Sequence, residues 1–177
     1  MCSIRVFSAA DLASEDLTDR ILALDRENMT QMLRESGRDF PEHRRREILR
    51  DPSLVLLALI SGKQLVGYLD FCDDWRDRKD IYLSSIQLRP TYRNGMSVAK
   101  LLVAAARLLT ERSFACLRGD VQESNTAAVA LFSRLGFAIR ERGDKPGSLE
   151  VIGDRTLLDS EYVTRLMGRV ERDFGTS

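Results

Sequence analysis

The stretch Ile86-Gln87-Leu88-Arg89-Pro90-Thr91-Tyr92-Arg93-Asn94-Gly95-Met96-Ser97-Val98-Ala99-Lys100-Leu101-Leu102 changes character twice. Up to Leu88 it completes an alternating run that begins at Asp80, the pattern of a β-strand. Arg89-Pro90 ends that strand, because proline lacks the N–H of the ladder and restricts the residue before it. Arg93-Asn94-Gly95 then reads as a short loop. From Ser97 to Ser113 the residues Val98, Leu101, Leu102, Ala105, Leu108 and Leu109 fall on one side of a long helix. A strand, a tight loop and a helix in that order aim several backbone N–H groups and the positive end of a helix at one point. Such a point suits a phosphate or pyrophosphate, and Arg93 and Lys100 can add charge to it. The same pattern also serves as an ordinary strand-to-helix turn with a solvent-facing arginine.

Working outward, Ser3 to Phe7 alternates as a first strand. Leu17, Ile21, Leu24 and Met32 recur at helical spacing, with Ser14 or Asp16 as the cap and Ser36-Gly37 as the end. Pro41 opens a second helix, Glu42 to Arg50, which Asp51-Pro52 stops. Ser53 to Ile60 and Gln64 to Phe71 read as strands joined by the turn Ser61-Gly62-Lys63. Asp73 to Lys79 is a charged loop.

On the other side, Ala115 to Val121 is a strand. Ser124 caps a helix to Leu135, which Gly136 closes. Phe137 to Arg142 is a strand and Asp144 to Gly147 a turn. Leu149 to Ile152 and Arg155 to Leu158 are strand-like, and Asp159 caps a last helix through Asp173. The order β-α-α-β-β-β-α-β-α-β-β, then a helix, predicts an α/β mixed sheet with helices on both faces. It is not a dinucleotide fold, since no glycine fingerprint follows the first strand.

Composition fits one domain over residues 1–158 with a C-terminal helix, 159–177. The chain has 177 residues, of which 44% are hydrophobic, and this is too apolar for a disordered chain. Lys and Arg number 27, as do Asp and Glu, so the net charge of +0 argues against a nucleic-acid or membrane-surface partner. The longest apolar run, Leu54 to Ile60, is far short of the roughly 20 residues of a membrane helix. Met1-Cys2-Ser3-Ile4-Arg5 has no signal core, so a cytoplasmic location is expected.

Three scattered cysteines imply no disulfide framework and no metal site; Cys72 and Cys116 read as small hydrophobes. The lone His43 lies in the charged stretch His43-Arg44-Arg45-Arg46-Glu47 and reads as a solvated helix residue. Arg44, Arg45 and Arg46 are the one run on which a nucleic-acid contact would rest.

A second stretch, Ser124 to Phe137, combines a capped helix with a core stripe of Ala128, Leu131 and Leu135. Asn125 lies in its first turn, where its amide either caps the helix or meets a ligand. Together the two stretches resemble the GCN5-related N-acetyltransferase (GNAT) family over roughly Ser53 to Arg142. Leu88-Arg89-Pro90-Thr91-Tyr92-Arg93 looks like the family's acetyl-coenzyme A motif. Asn125, Ala128, Leu131, Phe132, Gly136 and Phe137 match its second motif at fixed spacing.

The resemblance implies a sheet splayed between its fourth and fifth strands, with coenzyme A in the gap. It implies cofactor contacts from Ile86, Gln87, Leu88, Arg93, Asn94, Gly95, Met96, Ser97, Val98, Asn125 and Phe132. It also implies acetyl transfer from acetyl-coenzyme A to a primary amine, on a small molecule or a protein, and a homodimer. The chain departs from the family twice. Met96 and Val98 stand where the loop has glycine and a small residue, and glycine lets backbone approach a phosphate closely. Phe132 stands where many members have tyrosine, and it has no proton to give the leaving thiolate. These departures support an alternative, a module that binds acyl-coenzyme A without turning it over.

Acetyl transfer needs a neutral amine, a polarised carbonyl and a protonated leaving thiolate. The resemblance assigns the polarisation to a backbone N–H within Ile86 to Leu88. On the same strand Asp80, Tyr82, Ser84 and Ser85 are the polar groups, with Tyr82 and Ser85 as the candidate catalytic pair. Asp80 sits near the strand start and reads as a loop-edge carboxylate. Asp70, Asp73 and Asp74 border the expected acceptor entrance, and Trp75 either covers it or packs on its own domain.

Overall fold

The structure, a computed structural model, describes residues 2–14, 16–35 and 39–175. In chain order the elements are β1 (Cys2–Ser8), α1 (Ala9–Ser14), α2 (Leu17–Glu35), α3 (Glu42–Leu49), β2 (Val55–Ser61) and β3 (Gln64–Asp73). They continue with β4 (Ile81–Leu88), α4 (Gly95–Thr110), β5 (Cys116–Gln122), α5 (Thr126–Leu135), β6 (Ala138–Glu141), β7 (Ser148–Asp154) and α6 (Glu161–Gly175). The strands hydrogen-bond in the order β1-β2-β3-β4-β5-β7-β6, so the expected mixed α/β sheet flanked by helices is present. No helix among the described residues is long and apolar enough to cross a membrane.

The chain packs as two compact units that alternate along the sequence. The first is Met1–Cys72 with Ser85–Leu102, and the second is Asp73–Ser84 with Val103–Ser177. The boundary passes through β4, whose first half belongs to the second unit and whose second half belongs to the first.

In the first unit β1, β2 and β3 form an antiparallel meander. The turn between β2 and β3 places Gly62 at φ 60°, a conformation glycine adopts at no steric cost. β3 is buried from Leu65 to Cys72, which explains its nearly unbroken apolar run. At Gly67 an added Cβ would run into the Leu88 side chain and lie 2.9 Å from Gln87 O, so glycine lets β3 and the end of β4 approach closely there. Ile21, Leu22 and Leu24 of α2 are fully buried, at about 1.5–3 kcal/mol for each large aliphatic side chain.

In the second unit β5 pairs in parallel with β4 at three positions, Ile81 with Leu117 through Leu83 with Gly119. β7 lies antiparallel between β5 and β6. Gly136 closes α5 at φ 91°, as the sequence predicts.

Several local expectations are corrected by capping chemistry. α1 was not expected. Its start is a reciprocal cap, in which the Asp11 carboxylate accepts from Ser8 N at 2.7 Å and Ser8 Oγ accepts from Asp11 N at 3.3 Å. α4 begins at Gly95 rather than Ser97, because the Asn94 side chain caps it. Asn125, not Ser124, caps α5. Arg155 to Leu158 is no strand but the start of a 3-10 turn, Arg155–Asp159, whose cap is Asp154. Ser160 Oγ, not Asp159, accepts from Val163 N at the head of α6. The expected end of α2 at Ser36-Gly37 lies outside the described residues.

Candidate functional site

In the first unit the elements converge on the carbonyl of Leu88. Proline at position 90 opens a single 3-10 turn, Pro90–Tyr92, and α4 follows within a few residues. Asn28, from α2, donates to Leu88 O at 3.0 Å and to Gln87 Oε1 at 3.0 Å. Arg93 folds back, with Nε donating to the same carbonyl at 3.2 Å and Nη2 to Asn28 Oδ1 at 2.6 Å. Its guanidinium therefore braces the strand end on α2.

The Asn94 carboxamide accepts from Met96 N at 3.1 Å and Ser97 N at 2.9 Å, and Asn94 O accepts from Val98 N at 3.3 Å. The first-turn amides of α4 that would face an anion are thus engaged by Asn94. At Gly95 an added Cβ would meet nothing within 4 Å, so nothing crowds the backbone on that side. The turn fits a phosphate group on one condition, that the Asn94 carboxamide gives up the two amides. Met96 and Val98 are half-buried, while Ser97 and Lys100 are buried.

A second set of polar groups, missed as a set by sequence reasoning, lies beside this turn in the same unit. Alternate residues of a strand share a face, so Tyr68 and Asp70 project together from β3, and Ser85 and Gln87 from β4. Residues three or four apart on a helix also share a face, which aligns Ile21, Asp25 and Asn28 on α2. Arg45 comes from α3. Its Nε donates to Asp25 Oδ2 at 2.9 Å, and its Nη2 donates to Asp70 Oδ2 at 2.5 Å and to Tyr68 Oη at 3.0 Å.

Tyr68 Oη also makes a short hydrogen bond to Asp25 Oδ1, and it lies 3.3 Å from Ser85 Oγ. Gln87 Nε2 donates to Ser85 Oγ at 3.3 Å, which joins the cluster to Asn28. Asp25, Arg45, Tyr68 and Asp70 are all buried, whereas Ser85 is half-exposed.

Burial pushes the Asp25 carboxyl above the usual carboxylate range, against the pull of Arg45 and the Tyr68 hydrogen bond, and Asp70 adds to the rise. Burial also holds the Tyr68 hydroxyl well above its ordinary value. For Arg45 burial works downward, but the neighbouring Asp70, Tyr68 and Asp25 side chains outweigh it and keep the guanidinium protonated.

Tyr82, Asn125, Phe132, Asp80 and Trp75 lie in the second unit. Tyr82 is buried, with its hydroxyl 3.4 Å from Asp120 Oδ2 and its ring edge-on to Trp75 at 4.6 Å. Asn125 Oδ1 accepts from Ala128 N at 3.2 Å, so this side chain caps α5. Phe132 stacks edge-to-face on Phe137 at 5.2 Å. Asp80 sits at the loop edge just before β4, as expected, but it is buried, accepting from Cys116 N at 3.0 Å and Arg118 Nε at 2.6 Å. Asp70 and Asp74 are likewise buried, Asp74 against Arg76. Trp75 is 57% exposed.

His43 is solvated as expected, its side chain 91% exposed beside Glu47. The arginine run is dispersed by the fold. Arg45 enters the buried cluster and Arg46 pairs with Glu42 and Asp19. Among the described residues no group of three His, Cys, Asp or Glu side chains is placed to hold a metal ion.

The sequence pattern of the acetyltransferase (GNAT) family matches residues 19–137. No curated protein sequence matches the chain. Among solved structures, the chain is similar to a PaiA N-acetyltransferase from Thermoplasma acidophilum in complex with coenzyme A. The TM-score is 0.63 at 15% identity, covering 87% of this chain and 99% of that one. An aminoglycoside 6'-acetyltransferase type Ii gives a TM-score of 0.64 at 12% identity, over 86% and 97% of the two chains. A ribosomal-protein-alanine N-acetyltransferase from Brucella melitensis gives 0.59 at 21%, over 86% and 99%. At these identities the likeness is one of fold.

Proposed function

Because the chain belongs to the acetyltransferase (GNAT) family, we propose that it transfers an acetyl group from acetyl-coenzyme A to a primary amine. The observation that supports this reading is the turn from β4 into α4, where a proline-broken strand delivers a capped helix N-terminus with open space at Gly95. The backbone of Asn94, Gly95, Met96, Ser97 and Val98 would hold the pyrophosphate once Asn94 releases the amides, as helix N-termini do. Ile86, Gln87 and Leu88 would supply backbone contacts, with Leu88 fixed by Asn28 and Arg93. Arg93 acts as a brace of that turn and adds positive charge nearby. By resemblance, Asn125 and Phe132 complete the cofactor contacts.

The bound thioester supplies the acyl group. The chain must orient the amine, accept its proton and return one to the thiolate. Phe132 gives no proton, so Tyr82 and Ser85 are the hydroxyls proposed for proton chemistry. The solved relatives act on chemically different amines by their names, and the acceptor class is left to a panel of an alkyl diamine, lysine, kanamycin and an alanine-terminated peptide.

Thiol release over that panel, beside calorimetric titration with acetyl-coenzyme A, tests the reading. Binding with release for one amine class is expected, and absence of binding at millimolar cofactor would overturn it. The second reading, a binder without turnover, is favoured by Phe132 and by the engaged amides of Met96 and Ser97. It predicts binding without release for every amine.

A further inference from the structure

Resting on the acetyltransferase reading, we infer that the buried Asp25 is the proton acceptor of the reaction, reached from the substrate amine through Ser85 Oγ and Tyr68 Oη. The chain of contacts has one consistent direction. The Tyr68 hydroxyl carries one proton, and its short hydrogen bond places that proton toward Asp25 Oδ1. Tyr68 Oη is then an acceptor, and it accepts from Arg45 Nη2 at 3.0 Å. Tyr68 Oη and Ser85 Oγ lie 3.3 Å apart, and with the one tyrosine proton committed to Asp25 the serine hydroxyl is left to donate across that contact. Ser85 Oγ in turn receives Gln87 Nε2 and has a second lone pair. Every hydroxyl therefore points inward, and the outer end is the half-exposed Ser85 on β4.

A proton arriving at Ser85 Oγ moves inward by three hops. The substrate ammonium gives its proton to Ser85 Oγ, Ser85 passes its own to Tyr68 Oη, and Tyr68 passes its own to Asp25 Oδ1. The amine, now neutral, forms its bond to the thioester carbonyl carbon as the carbon–sulfur bond breaks. The second nitrogen proton goes to the thiolate, so the net products are amide, thiol and one proton held on Asp25. That proton leaves to solvent by the reverse route before the next turnover.

Asp25 suits this task by its setting. The charged or titratable groups facing it are Arg45 from α3 and Tyr68 and Asp70 from β3. One guanidinium lies between two buried carboxylates, so a proton added to Asp25 relieves like charge at Asp70 while Arg45 keeps its bond to Asp70. Ser85 touches the amine, whereas Tyr68 and Asp25 act through it.

The test measures kcat against pH with whichever panel amine turns over, in wild type, Ser85→Ala, Tyr68→Phe and Asp25→Asn, with coenzyme A affinity by calorimetry. Ser85→Ala and Tyr68→Phe keep the packing, which guards against a misfolded Asp25→Asn. A loss in kcat of about 10²-fold is expected in both, with cofactor affinity unchanged. The acid limb of the wild-type profile should vanish in Asp25→Asn and stay in place in Asp144→Asn. Infrared difference spectra of the unliganded protein between acidic and neutral pH should show a titrating carboxyl band that Asp25→Asn removes. Wild-type kcat and an unmoved acid limb in a folded Ser85→Ala or Tyr68→Phe would overturn the inference alone. A wild type that releases no thiol with any panel amine overturns the acetyltransferase reading, and this inference with it.

Discussion

One arginine between two aspartates, with a tyrosine hydroxyl on one of them, occurs twice among the described residues. In the first unit Arg45 joins Asp25 and Asp70, and Tyr68 meets Asp25. In the second unit Arg142 joins Asp120 and Asp144 at 2.9 and 2.5 Å, and Tyr82 lies 3.4 Å from Asp120. The chemistry is alike and the solvent is not. Side-chain exposure is 8% or less throughout the Arg45 ion pairs, whereas Asp144 is 63% exposed. In water, hydrogen bonds from Arg142 hold Asp144 below the usual carboxylate range. Out of water, desolvation reverses the direction and pushes Asp25 up. Burial thus reverses the direction in which the same kind of ion pair shifts its aspartate.

Replacing the arginine separates the two clusters most. Arg45→Met leaves two buried carboxylates without their cation, and breaking a buried pair from one side costs about 3–5 kcal/mol. Arg142→Met should cost less, because Asp144 is exposed and the Arg142–Asp120 pair keeps more of its surface in water than the Arg45 pairs do. Urea unfolding of both variants measures the gap, and equal losses would erase the distinction.

The tyrosines come next. Tyr68→Phe removes a hydroxyl shared by Arg45 and Asp25, and a buried group left unpaired costs about 1–3 kcal/mol. Tyr82→Phe gives up one long contact to Asp120, so its urea midpoint should move less.

The pH dependence of stability should have opposite signs in the two clusters. Above the ordinary carboxylate pKa, folded Asp25 still holds a proton that the unfolded chain has lost. Its contribution to stability therefore falls as pH rises through that window, and Asp25→Asn abolishes the fall. Asp144 is ionised when folded at pH values where the unfolded chain takes up a proton. Its contribution is present above the unfolded pKa and lost as pH falls toward the folded one, and Asp144→Asn abolishes that loss. Urea midpoints across acidic and neutral pH check both signs.

The smallest effect is that of salt. Raising ionic strength should weaken the exposed Arg142–Asp144 pair and leave the Arg45 cluster nearly unchanged, because dissolved ions screen exposed charges and hardly reach buried ones. Comparing the Arg45→Met and Arg142→Met losses at low and high salt gives the answer.

Much of the fold was legible because its signals are local. Pro90, Gly95 and the apolar stripe of α4 mark the strand, turn and helix in one stretch, and Asn125 to Phe137 does the same for α5. The anion-site reading came from that local pattern. What it lacked was side-chain competition: an asparagine before a helix is as good a partner for the first amides as a phosphate is. The Arg45 cluster was illegible for a different reason. Its members are separated by stretches that only the sheet and the two helices bring together. In sequence, Arg45 is one arginine of three, and Asp70 is one of several acids before a charged loop. The available signal was an ionisable residue inside an apolar period, Asp25 on the α2 stripe and Asp70 within the buried run of β3.

The interleaving of the two units also has a consequence for how the chain is made. A ribosome releases residues in order, so every residue of the first unit is out once Leu102 has emerged. The segment Asp73–Ser84 has emerged as well, but its partners on β5 have not. Ile81 and Tyr82, buried in the finished protein, must wait in water until Leu117 to Gly119 arrive. A nascent chain halted in that interval carries every residue of one unit and an apolar strand end still unmatched, which is the kind of segment a chaperone binds. For the same reason no single cut divides the protein into its two units, and a fragment ending at Leu102 necessarily retains the orphaned strand.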